Sequence, residues 1–528
     1  MVAWARMSSV LDPPAIAPLE VHARLVPEKL ALIDDRPDGT LLTWTFGELN
    51  QQATRLANVF HDLGVQADEP IVWCGPNSLG VVRAMHAITR VGGIQIPLNY
   101  RLTPDEAAYI VDHSDAVLVY VDSESAGTFS GIRDRIPKVR HVVVFDGLPP
   151  SDMLDGDALL RAAQETQLPP ASGANLRLMY TSGTTGRPKG ALRGVGDPAQ
   201  IKALMEFVGY VPDDVYITTG PLYHSGPGGF LGVAQLVANT SVIQRRFDAE
   251  DWLRLVDKYR VTTSFSAPTP IRLICNLPPD VKARYGRSSM QRMIANAAPW
   301  SFALKEAYMA DFGDESLWEV YGSTELGVNT LLAPQDQRRK PGSCGKAAPG
   351  VEVRLFDDAG NEVSEPGVPG EVYVRTASSF DEYYKAPAAT DEARRGDFGT
   401  VHDVAYRDAD GYLYICDRKT DMIISGGMNI YPAEVEAVLE RHPAVLEVAV
   451  FGIPDELWGE RVHAVVALRG DAVVDDSELI AYARGNLAGY KVPRSVSYVD
   501  ELPHTGSGKV LKRQLREPFW EGHAKRVS

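Results

Sequence analysis

The sequence predicts an α/β protein in which two β-α layers are followed by an antiparallel β segment and a smaller α+β unit. Short apolar runs alternate with helix-like stretches between about residues 68 and 146, and again between 201 and 320. This alternation is typical of β-α units around a largely parallel sheet. Between 350 and 415 the strands are instead closely spaced and separated by Asp-Gly-type turns, which favours an antiparallel sheet or barrel.

In the first layer, Leu79–Val91 has the pattern of a helix and lies between two short apolar runs. The predicted strands of this layer are Ile71–Trp73, Ile94–Ile96, Val117–Val121 and Val142–Phe145. The same rhythm returns in the second layer, whose predicted strands are Val215–Thr218, Val242–Ile243, Val261–Ser264 and Leu317–Val320. Two similar layers of strands and helices are therefore expected.

The antiparallel segment is marked by the turn sequences DDAGNE, VPGE and RDADGY, and no helix is expected to interrupt it. Beyond Asp421, the runs VLEVAVFGI and VHAVVALRG predict two strands, and Asp476–Leu487 predicts a helix. A segment of this length is sufficient for a small α+β domain.

Composition narrows the class of protein. A chain of 528 residues is several times longer than a typical domain, so at least two domains are expected. The formal charge of −16 argues against nucleic acid as a main partner, although local basic clusters in an acidic protein still bind phosphates. The four cysteines lack the spacing of metal ligands, so we expect reduced structural thiols.

The sequence also gives an expectation about location. The stretch MVAWARMSSVLDPP lacks the apolar core of a signal peptide, and no apolar run is long enough for a membrane helix. We therefore expect a cytoplasmic protein without an integral membrane segment. The sequence does not determine the oligomeric state, and a homodimer is the assembly that we consider.

The most informative stretch is YTSGTTGRPKG at residues 180–190, which follows an apolar run that could be a buried strand. Glycines let backbone N–H groups face an anion, hydroxyl side chains add donors, and a lysine adds positive charge. Such a loop suits a polyphosphate. The residues that would contribute to it are Thr181, Ser182, Gly183, Thr184, Thr185, Gly186 and Lys189.

A Walker-type phosphate loop is excluded, because it ends in Gly-Lys-Ser/Thr, whereas here Pro188 precedes Lys189 and Gly190 follows it. The stretch resembles instead the signature loop of the adenylate-forming superfamily, which includes acyl-CoA synthetases, luciferase-like enzymes and adenylation domains. Further stretches resemble motifs of that family in the same order along the chain. They are PLYHSG at 221–226, NAAP at 296–299, YGSTE at 321–325, Asp403, DRKTDMIISGGMNIYP at 417–432 and GSGKVLKR at 506–513.

The resemblance implies a division into two domains. A large amino-terminal AMP-binding domain over residues 1–419 would contain both β-α layers and the antiparallel part, and a small mobile domain would follow over residues 420–528. The small domain would rotate about a hinge at Thr420 between the two half-reactions. No low-complexity linker marks this boundary, so it rests on the resemblance.

The family's chemistry activates a carboxylate as acyl-AMP, with ATP and Mg²⁺ as cofactors, and then transfers the acyl group to CoA. By resemblance, Thr181–Lys189 would cover the β- and γ-phosphates, Thr324 would hydrogen-bond the α-phosphate, and Glu325 would ligate Mg²⁺ together with Thr181. Tyr321 would stack on adenine and Asp403 would bind the ribose hydroxyls. The full set of residues implied for the AMP moiety is Ala297, Ala298, Pro299, Tyr321, Gly322, Asp403 and Arg418.

The resemblance also assigns residues to the acid and to CoA. Lys509 would bind the carboxylate and α-phosphate oxygens during adenylation and leave before CoA enters. Residues that would face the CoA tunnel are Ser425, Gly426 and Gly427, and residues that would line the acyl pocket are His224 and Gly228. Because Gly226, Gly228 and Gly229 leave space beside His224, we expect a bulky or long acyl group.

The chain departs from the family pattern at Thr420, where the family more often has Asp or Lys, at Gly506, where it often has Pro, and next to Asp403. The family usually has Thr-Gly-Asp where this chain has Val401, His402 and Asp403. His402 is interpreted either as a lid over the nucleotide or as a surface side chain that is turned outwards.

The sequence therefore predicts an ATP-dependent acyl-CoA synthetase that releases AMP and diphosphate and acts on a medium-chain, long-chain or cyclic carboxylic acid. Two alternatives stay open. One is an acyl-AMP ligase that loads a carrier protein, and the other is a non-catalytic nucleotide-binding protein with the same fold.

Overall fold

The computed structural model describes residues 17–171, 173–181, 188–194, 196–298, 300–418, 421–425, 428–470, 472–505 and 510–521. In the first part of the chain, helices and strands alternate as predicted. Their bounds in chain order are α1 (Pro18–Leu25), β1 (Leu30–Asp35), β2 (Leu41–Thr45), α2 (Phe46–Asp62), β3 (Pro70–Cys74), α3 (Leu79–Val91), β4 (Ile94–Leu98), α4 (Pro104–His113), β5 (Leu118–Asp122), α5 (Ala126–Gly131), β6 (His141–Phe145), β7 (Leu154–Asp155) and α6 (Gly156–Ala162).

The predicted helix Leu79–Val91 is confirmed as α3, and its ends have local causes. Ser78 caps the amino terminus, where its side chain accepts a hydrogen bond from the Val81 N–H. Gly92 ends the helix in the left-handed region, with φ of 74°. Both signals are local in sequence, which is why the bounds were predictable.

The elements after α6 begin with the hairpin that flanks the glycine-rich loop, which joins the first sheet, and they continue with the second layer. The elements that follow are β8 (Arg177–Thr181), β9 (Lys189–Arg193), α7 (Pro198–Val208), β10 (Val215–Thr218), α8 (Ser225–Leu236), β11 (Thr240–Val242), α9 (Ala249–Tyr259), β12 (Thr263–Ser266), α10 (Pro268–Cys275), α11 (Pro279–Lys282), β13 (Arg292–Ala295), α12 (Phe302–Phe312), β14 (Leu317–Ser323) and β15 (Gly327–Leu332).

Two large sheets contain these strands. Over the described ranges, the first has eight strands in the order β19-β9-β8-β4-β3-β5-β6-β7, where β19 is Glu382–Tyr383. The second has nine in the order β16-β15-β14-β13-β12-β10-β11-β1-β2, where β16 is Lys346–Ala347. Both have a parallel centre; the first has antiparallel strands at one edge only, and the second has them at both edges. Strand β1 pairs with β11 of the second sheet, and β8 and β9 join the first sheet.

One hydrophobic core joins the two layers. Buried aromatic side chains from both of them, such as Trp73, Phe145, Tyr216 and Phe265, belong to a single cluster. Removing such surfaces from water is the main source of stability for this arrangement.

The segment after β15 forms the predicted antiparallel part, with one difference. Its elements are β16 (Lys346–Ala347), β17 (Glu352–Phe356), β18 (Gly370–Arg375), β19 (Glu382–Tyr383), α13 (Pro387–Glu392), β20 (Arg394–Arg395), β21 (Phe398–Gly399), β22 (Asp403–Arg407) and β23 (Leu413–Arg418). Among the described strands, six form an antiparallel sheet. The expectation that no helix interrupts residues 350–415 was wrong, because α13 lies there, with Pro387 at its first position, where a missing N–H costs nothing.

The carboxyl-terminal part has its own sheet and core. Its elements are β24 (Ile423–Ser425), β25 (Met428–Ile430), α14 (Pro432–Leu439), β26 (Val445–Asp455), β27 (Gly459–Leu468), α15 (Asp476–Asn486), β28 (Ser495–Val499) and α16 (Lys512–Trp520). The two predicted strands correspond to β26 and β27, and the predicted helix corresponds to α15. The α+β character of this part is therefore confirmed, while the boundary at residues 419 and 420 lies outside the described residues and stays a prediction.

In the described part of the chain, no helix combines the length and the apolar composition needed to cross a membrane.

Candidate active site

The candidate site lies in a cleft of about 3780 Å³ that both large sheets, the antiparallel segment and the carboxyl-terminal part border. Strands β10, β12, β13 and β14 are parallel, so their carboxyl ends share one edge of the second sheet. Ligands of open α/β sheets bind outside this edge. The NAAP and YGSTE motifs follow β13 and lie at the end of β14, so the topology brings them together.

Glu325 is the centre of a group of oxygen atoms in this cleft. It lies in the turn between β14 and β15 and is 7 % exposed. The Thr181 hydroxyl, at the end of β8, donates to Glu325 Oε1 at 3.5 Å, and the Tyr383 hydroxyl donates to the same oxygen at 3.1 Å. Burial and the nearby Glu325 carboxylate raise the pKa of Tyr383, so this tyrosine stays a protonated donor.

This donor set fits Mg²⁺, which prefers hard oxygen ligands and usually combines one or two carboxylates with water and substrate phosphates. Glu325 and Thr181 would hold the ion, and when bound it would neutralise phosphate charge. Across the described ranges, no group of three or more His, Cys, Asp or Glu side chains is placed to hold a metal. The residues therefore suit a cation that is shared with a phosphate ligand.

Lys189 lies beside the same group. Thr181 and Lys189 are opposite residues in the β8–β9 hairpin, and the Thr181 hydroxyl oxygen is 3.4 Å from the Lys189 carbonyl oxygen, an alternative acceptor to Glu325 for its one hydrogen. The Lys189 ammonium is 5.4 Å from the centre of the Tyr383 ring, within the range of a cation–π interaction. One end of the glycine-rich loop therefore contacts the Glu325 carboxylate through Thr181, and the other end contacts, through Lys189, the ring of Tyr383, whose hydroxyl donates to that carboxylate.

Thr324 is fixed by two neighbours from other parts of the chain. Its hydroxyl is 2.9 Å from the Ser225 hydroxyl at the start of α8, and its carbonyl accepts a hydrogen bond from Arg193 at 2.8 Å. Arg193 also donates to the Ser378 carbonyl at 3.1 Å. A guanidinium with two such acceptors holds the turn that contains Thr324 against β9.

Gly322 has a structural reason to be glycine. A Cβ at this position would lie 2.1 Å from the Gly327 carbonyl oxygen of β15. The pairing of β14 with β15 shifts register between Tyr321 and Gly322. The close backbone approach at this irregularity sets the path of the chain into Thr324 and Glu325.

Asp403 is held from two sides. It is the first residue of β22, opposite Arg418 in β23, and it is 7 % exposed. The Tyr321 hydroxyl donates to Asp403 Oδ2 at 2.8 Å, and Arg418 Nε donates to Asp403 Oδ1 at 3.2 Å. An ionised carboxylate accepts more than two hydrogen bonds, so this one keeps capacity for the hydroxyls of a ligand.

His402 adopts a backbone conformation that favours glycine. Its φ is 62°, in the left-handed region. The Thr400 hydroxyl accepts from the His402 N–H at 2.9 Å, and Nδ1 of the ring is 2.8 Å from Glu371 Oε1. The histidine that replaces the family's glycine is therefore turned towards Glu371, a contact that neither interpretation of the sequence included.

The NAAP segment shows a similar feature. Ala297 has φ of 72°, and its N–H donates to the Asn296 side chain. The Asn296 amide in turn donates to the Val320 carbonyl of β14 at 2.7 Å. Non-glycine residues in this region are held by their surroundings and often lie at functional sites.

The acyl-pocket prediction needs a correction at the glycines. His224 precedes α8 and lines the cleft, as does Gly228. However, a Cβ at Gly228 would lie 2.5 Å from the Leu222 carbonyl oxygen, and one at Gly226 would lie 2.4 Å from the Phe265 ring. The space that we expected beside these two glycines is therefore occupied by protein.

The structure does not describe all of the predicted site residues. Those outside the described residues are Ser182, Gly183, Thr184, Thr185, Gly186, Pro299, Thr420, Gly426, Gly427 and Lys509. Ser425 ends β24 in the carboxyl-terminal sheet and is buried, and it is not among the described residues that line the cleft. Its role towards CoA stays a prediction.

Sequence reasoning missed Tyr383, Arg193 and Ser225 as partners of the site. Tyr383 and Glu325 are 58 positions apart, and Arg193 and Thr324 are 131 positions apart. No periodicity or local motif links residues at such separations. Ser225 was inside a recognised motif, and its position next to His224 was the one usable signal.

The comparisons with known proteins agree with this geometry. The AMP-binding enzyme family matches residues 19–384, and the AMP-binding enzyme C-terminal domain matches residues 434–509. A feruloyl-CoA synthase of an Amycolatopsis species is 34 % identical over 505 residues, which cover 94 % of this chain and 97 % of the relative. A long-chain-fatty-acid–CoA ligase of Mycobacterium tuberculosis is 31 % identical over 505 residues, which cover 95 % and 97 %.

A solved structure of an anthranilate CoA ligase, in complex with anthranoyl-AMP, superposes with a TM-score of 0.86 at 26 % identity and covers 97 % of each chain. The chain belongs to the AMP-binding enzyme family of adenylate-forming enzymes. Its enzyme class is that of the AMP-forming acyl-CoA ligases, which use ATP, Mg²⁺ and CoA.

Proposed function

We propose that this enzyme activates an extended carboxylic acid, with a medium or long chain or a ring system, as acyl-AMP and transfers the acyl group to CoA. The observation that carries this proposal is the open face of α8. At Gly229 and Gly232, the described residues place no atom, apart from the adjoining backbone of the helix, within 4 Å of the position that a Cβ would occupy, and both glycines line the cleft.

The direction of α8 relates this open face to the chemistry. The helix begins at Ser225, whose hydroxyl contacts Thr324 in the adenylation site. Gly229 and Gly232 follow four and seven residues later, about 6 and 10 Å further along the helix axis. Space for an acyl chain therefore continues away from the α-phosphate position by about 10 Å, more than acetate needs.

The remaining roles follow the arrangement around Glu325. Thr324 would bind the α-phosphate, Lys189 would bind the outer phosphates, and Asp403 would bind the ribose. These are the groups that adenylation needs, because charge must be neutralised at the phosphate while the carboxylate is held in line. Lys509 would act in adenylation, and the segment from Ser425 would face CoA after the small domain rotates.

The direct test is to incubate the protein with ATP, Mg²⁺, CoA and a panel of short, long, aromatic and polycyclic acids, and to follow AMP and acyl-CoA by mass spectrometry. We expect acyl-CoA and AMP in equal amounts, with extended acids preferred over acetate. ADP and phosphate as products would contradict the proposal. Acyl-AMP without any thioester would instead indicate a ligase for a carrier protein, and no acyl-AMP from any acid would indicate a non-catalytic nucleotide-binding protein.

A further inference from the structure

The cleft continues beyond the glycines of α8 to a polar end. Gln235 lies on the same helix, ten residues after Ser225 and about 15 Å along its axis. On the opposite wall, Arg177, Met179 and Thr181 share one face of β8, because alternate residues of a strand point the same way. All of these residues line the cleft, so β8 and α8 both lead from the adenylation site to the surroundings of Arg177 and Gln235.

Arg177 has an unusual environment for a cation. Its Nε is buried and has no hydrogen-bond partner in the part of the chain that the structure describes. Burial lowers the pKa of Arg177 to about 10, and the charged neighbour that contributes is another cation, Arg193. Within the described ranges, no carboxylate forms an ion pair with Arg177. A buried charge without a partner is costly, and proteins usually pair such groups or bind an ion there.

Gln235 adds a second unsatisfied donor in the same cleft, and it shares the neighbour His86 with Arg177. It is 9 % exposed, and its Nε2 has no hydrogen-bond partner among the described residues. Its Oε1 is 3.2 Å from Nε2 of His86. The charge of Arg177 also acts on the His86 ring. Burial, together with the charges of Arg90 and Arg177, lowers the pKa of His86 to about 3. His86 is therefore neutral, so it carries neither a negative charge that would pair with Arg177 nor a second positive charge beside it.

The other charged and polar side chains near Arg177 have partners of their own. Glu20 is 3.6 Å from Arg90 Nε, and Arg90 also donates to the Asn50 carbonyl at 2.9 Å. The Gln95 amide, next to Arg177 in the sheet, donates to Thr89 and to the Met85 carbonyl. Arg177 is thus the cation that remains without an acid in the described part of this region.

We infer that Arg177 and Gln235 bind a second carboxylate of the substrate, so that the preferred acids are dicarboxylic acids. This inference rests on the proposed function and specifies its substrate class. A carboxylate accepts charge-assisted hydrogen bonds from a guanidinium and an amide at once, and it would satisfy both orphaned donors. Arg177 and Thr181 are four residues apart on β8, so the two carboxylates would be separated by a distance on the order of 10 Å.

The test compares acids of equal length that differ at the far end. The dicarboxylic probes are suberic, azelaic and sebacic acids, and the monocarboxylic acids of equal length are octanoic, nonanoic and decanoic acids. For each acid, kcat/KM of acyl-CoA formation is measured with wild type, Arg177→Met and Arg177→Lys. We expect wild type to prefer the dicarboxylic acids. Arg177→Met should lower kcat/KM for them by about 10- to 100-fold, the usual effect of losing a hydrogen bond between charged groups. The monocarboxylic acids should be unaffected, and Arg177→Lys should retain part of the preference.

The control is Arg375→Met, which removes an exposed arginine that pairs with Glu352 outside the cleft and should leave the preference unchanged. Equal losses for both series in Arg177→Met would show a structural role and overturn the inference. Preference of wild type for the methyl-ended acids would also overturn it, while the proposed function would stand.

A second measurement separates the inference from the proposed function. If wild type forms no acyl-CoA from any acid, the proposed function is wrong. Whether Arg177 still binds a carboxylate is then tested by measuring the Tm with and without sebacate, in the absence of ATP. Sebacate should raise the Tm of wild type and leave that of Arg177→Met unchanged. If sebacate does not change the Tm of wild type, Arg177 does not form an anion site and the inference is wrong.

Discussion

At the residue scale, the site contains backbone conformations that most side chains avoid. His402 and Ala297 both have φ in the left-handed region, at 62° and 72°. Each directly adjoins a residue that the resemblance assigns to the nucleotide. His402 shows how such a conformation is kept without glycine, because its N–H and its ring both have partners in the antiparallel segment.

The His402 conformation predicts an order of stability for two variants. His402→Gly removes the strain of the left-handed region, which is about 1 kcal/mol for a non-glycine residue, and loses the partly exposed contact of the ring with Glu371. His402→Ala keeps the strain and loses the same contact. Urea denaturation should therefore rank the glycine variant above the alanine variant by about 1 kcal/mol. The reverse order would mean that the backbone is not left-handed at this position in solution.

At the element scale, α8 divides its glycines between two purposes. Gly226 and Gly228 allow close packing against Phe265 and the Leu222 carbonyl, and Gly229 and Gly232 leave room in the cleft. The distinction depends on a rotation of 100° per residue around the helix, so neighbouring glycines point in different directions.

This division predicts opposite effects for adjacent substitutions. Gly228→Ala should destabilise the protein by about 1 to 3 kcal/mol, because its Cβ would overlap a backbone carbonyl. Gly229→Ala should be neutral or stabilising by up to about 1 kcal/mol, because alanine favours a helix and meets open space. Thermal denaturation should give a lower Tm for Gly228→Ala than for Gly229→Ala.

The acid specificity of the same helix is tested with a larger side chain. Gly229→Leu should lower kcat/KM for long or ring-containing acids more than for short ones, since leucine would extend into the cleft. Equal losses across chain lengths would show that this face of α8 does not contact the acyl group.

At the scale of the whole molecule, the carboxyl-terminal part packs on the second layer through charged groups. Arg272 of α10 donates to Glu447 Oε1 at 2.5 Å, and His504 is 3.2 Å from the same carboxylate oxygen. Glu440 lies nearby, where Arg272 and Ser301 are its partners from the amino-terminal part. This contact is where the small domain would separate from the large one if it rotates.

Glu440 predicts a pH dependence of stability. Burial raises the pKa of Glu440 from 4.5 to about 7, so between these values the folded state retains a proton that the unfolded state has lost. Stability should therefore fall as pH rises from about 4.5 to about 7, by an amount on the order of 2 kcal/mol. Glu440→Gln should flatten this part of the Tm profile. Glu517→Gln, at an exposed glutamate that pairs with Arg513, is the control and should leave the profile unchanged.

The two half-reactions give a further prediction at this scale, which rests on the family resemblance because Lys509 lies outside the described residues. Lys509→Ala should lower acid-dependent exchange of diphosphate into ATP by about 10²- to 10³-fold, the usual effect of losing one charged transition-state contact. The same variant should still transfer the acyl group from supplied acyl-AMP to CoA. Equal damage to both steps would contradict the two-conformation mechanism.

The sequence by itself determined the fold class, the two β-α layers and the family, because periodicity, caps and motifs are local signals. The bounds of α3 were predictable for this reason. The short helix α13 was missed, since six residues give too little periodicity to compete with the strand pattern around them.

Only the tertiary structure decided how distant residues meet. Tyr383 contacts Glu325, Arg193 fixes Thr324, and Arg177 has no acidic partner among the described residues. All three facts depend on strand order and register across two sheets. The same holds for the glycines of α8, since their surroundings are set by which elements pack against each side. Composition and spacing state which groups the chain carries, but packing alone determines which of them are paired and which remain available to a ligand.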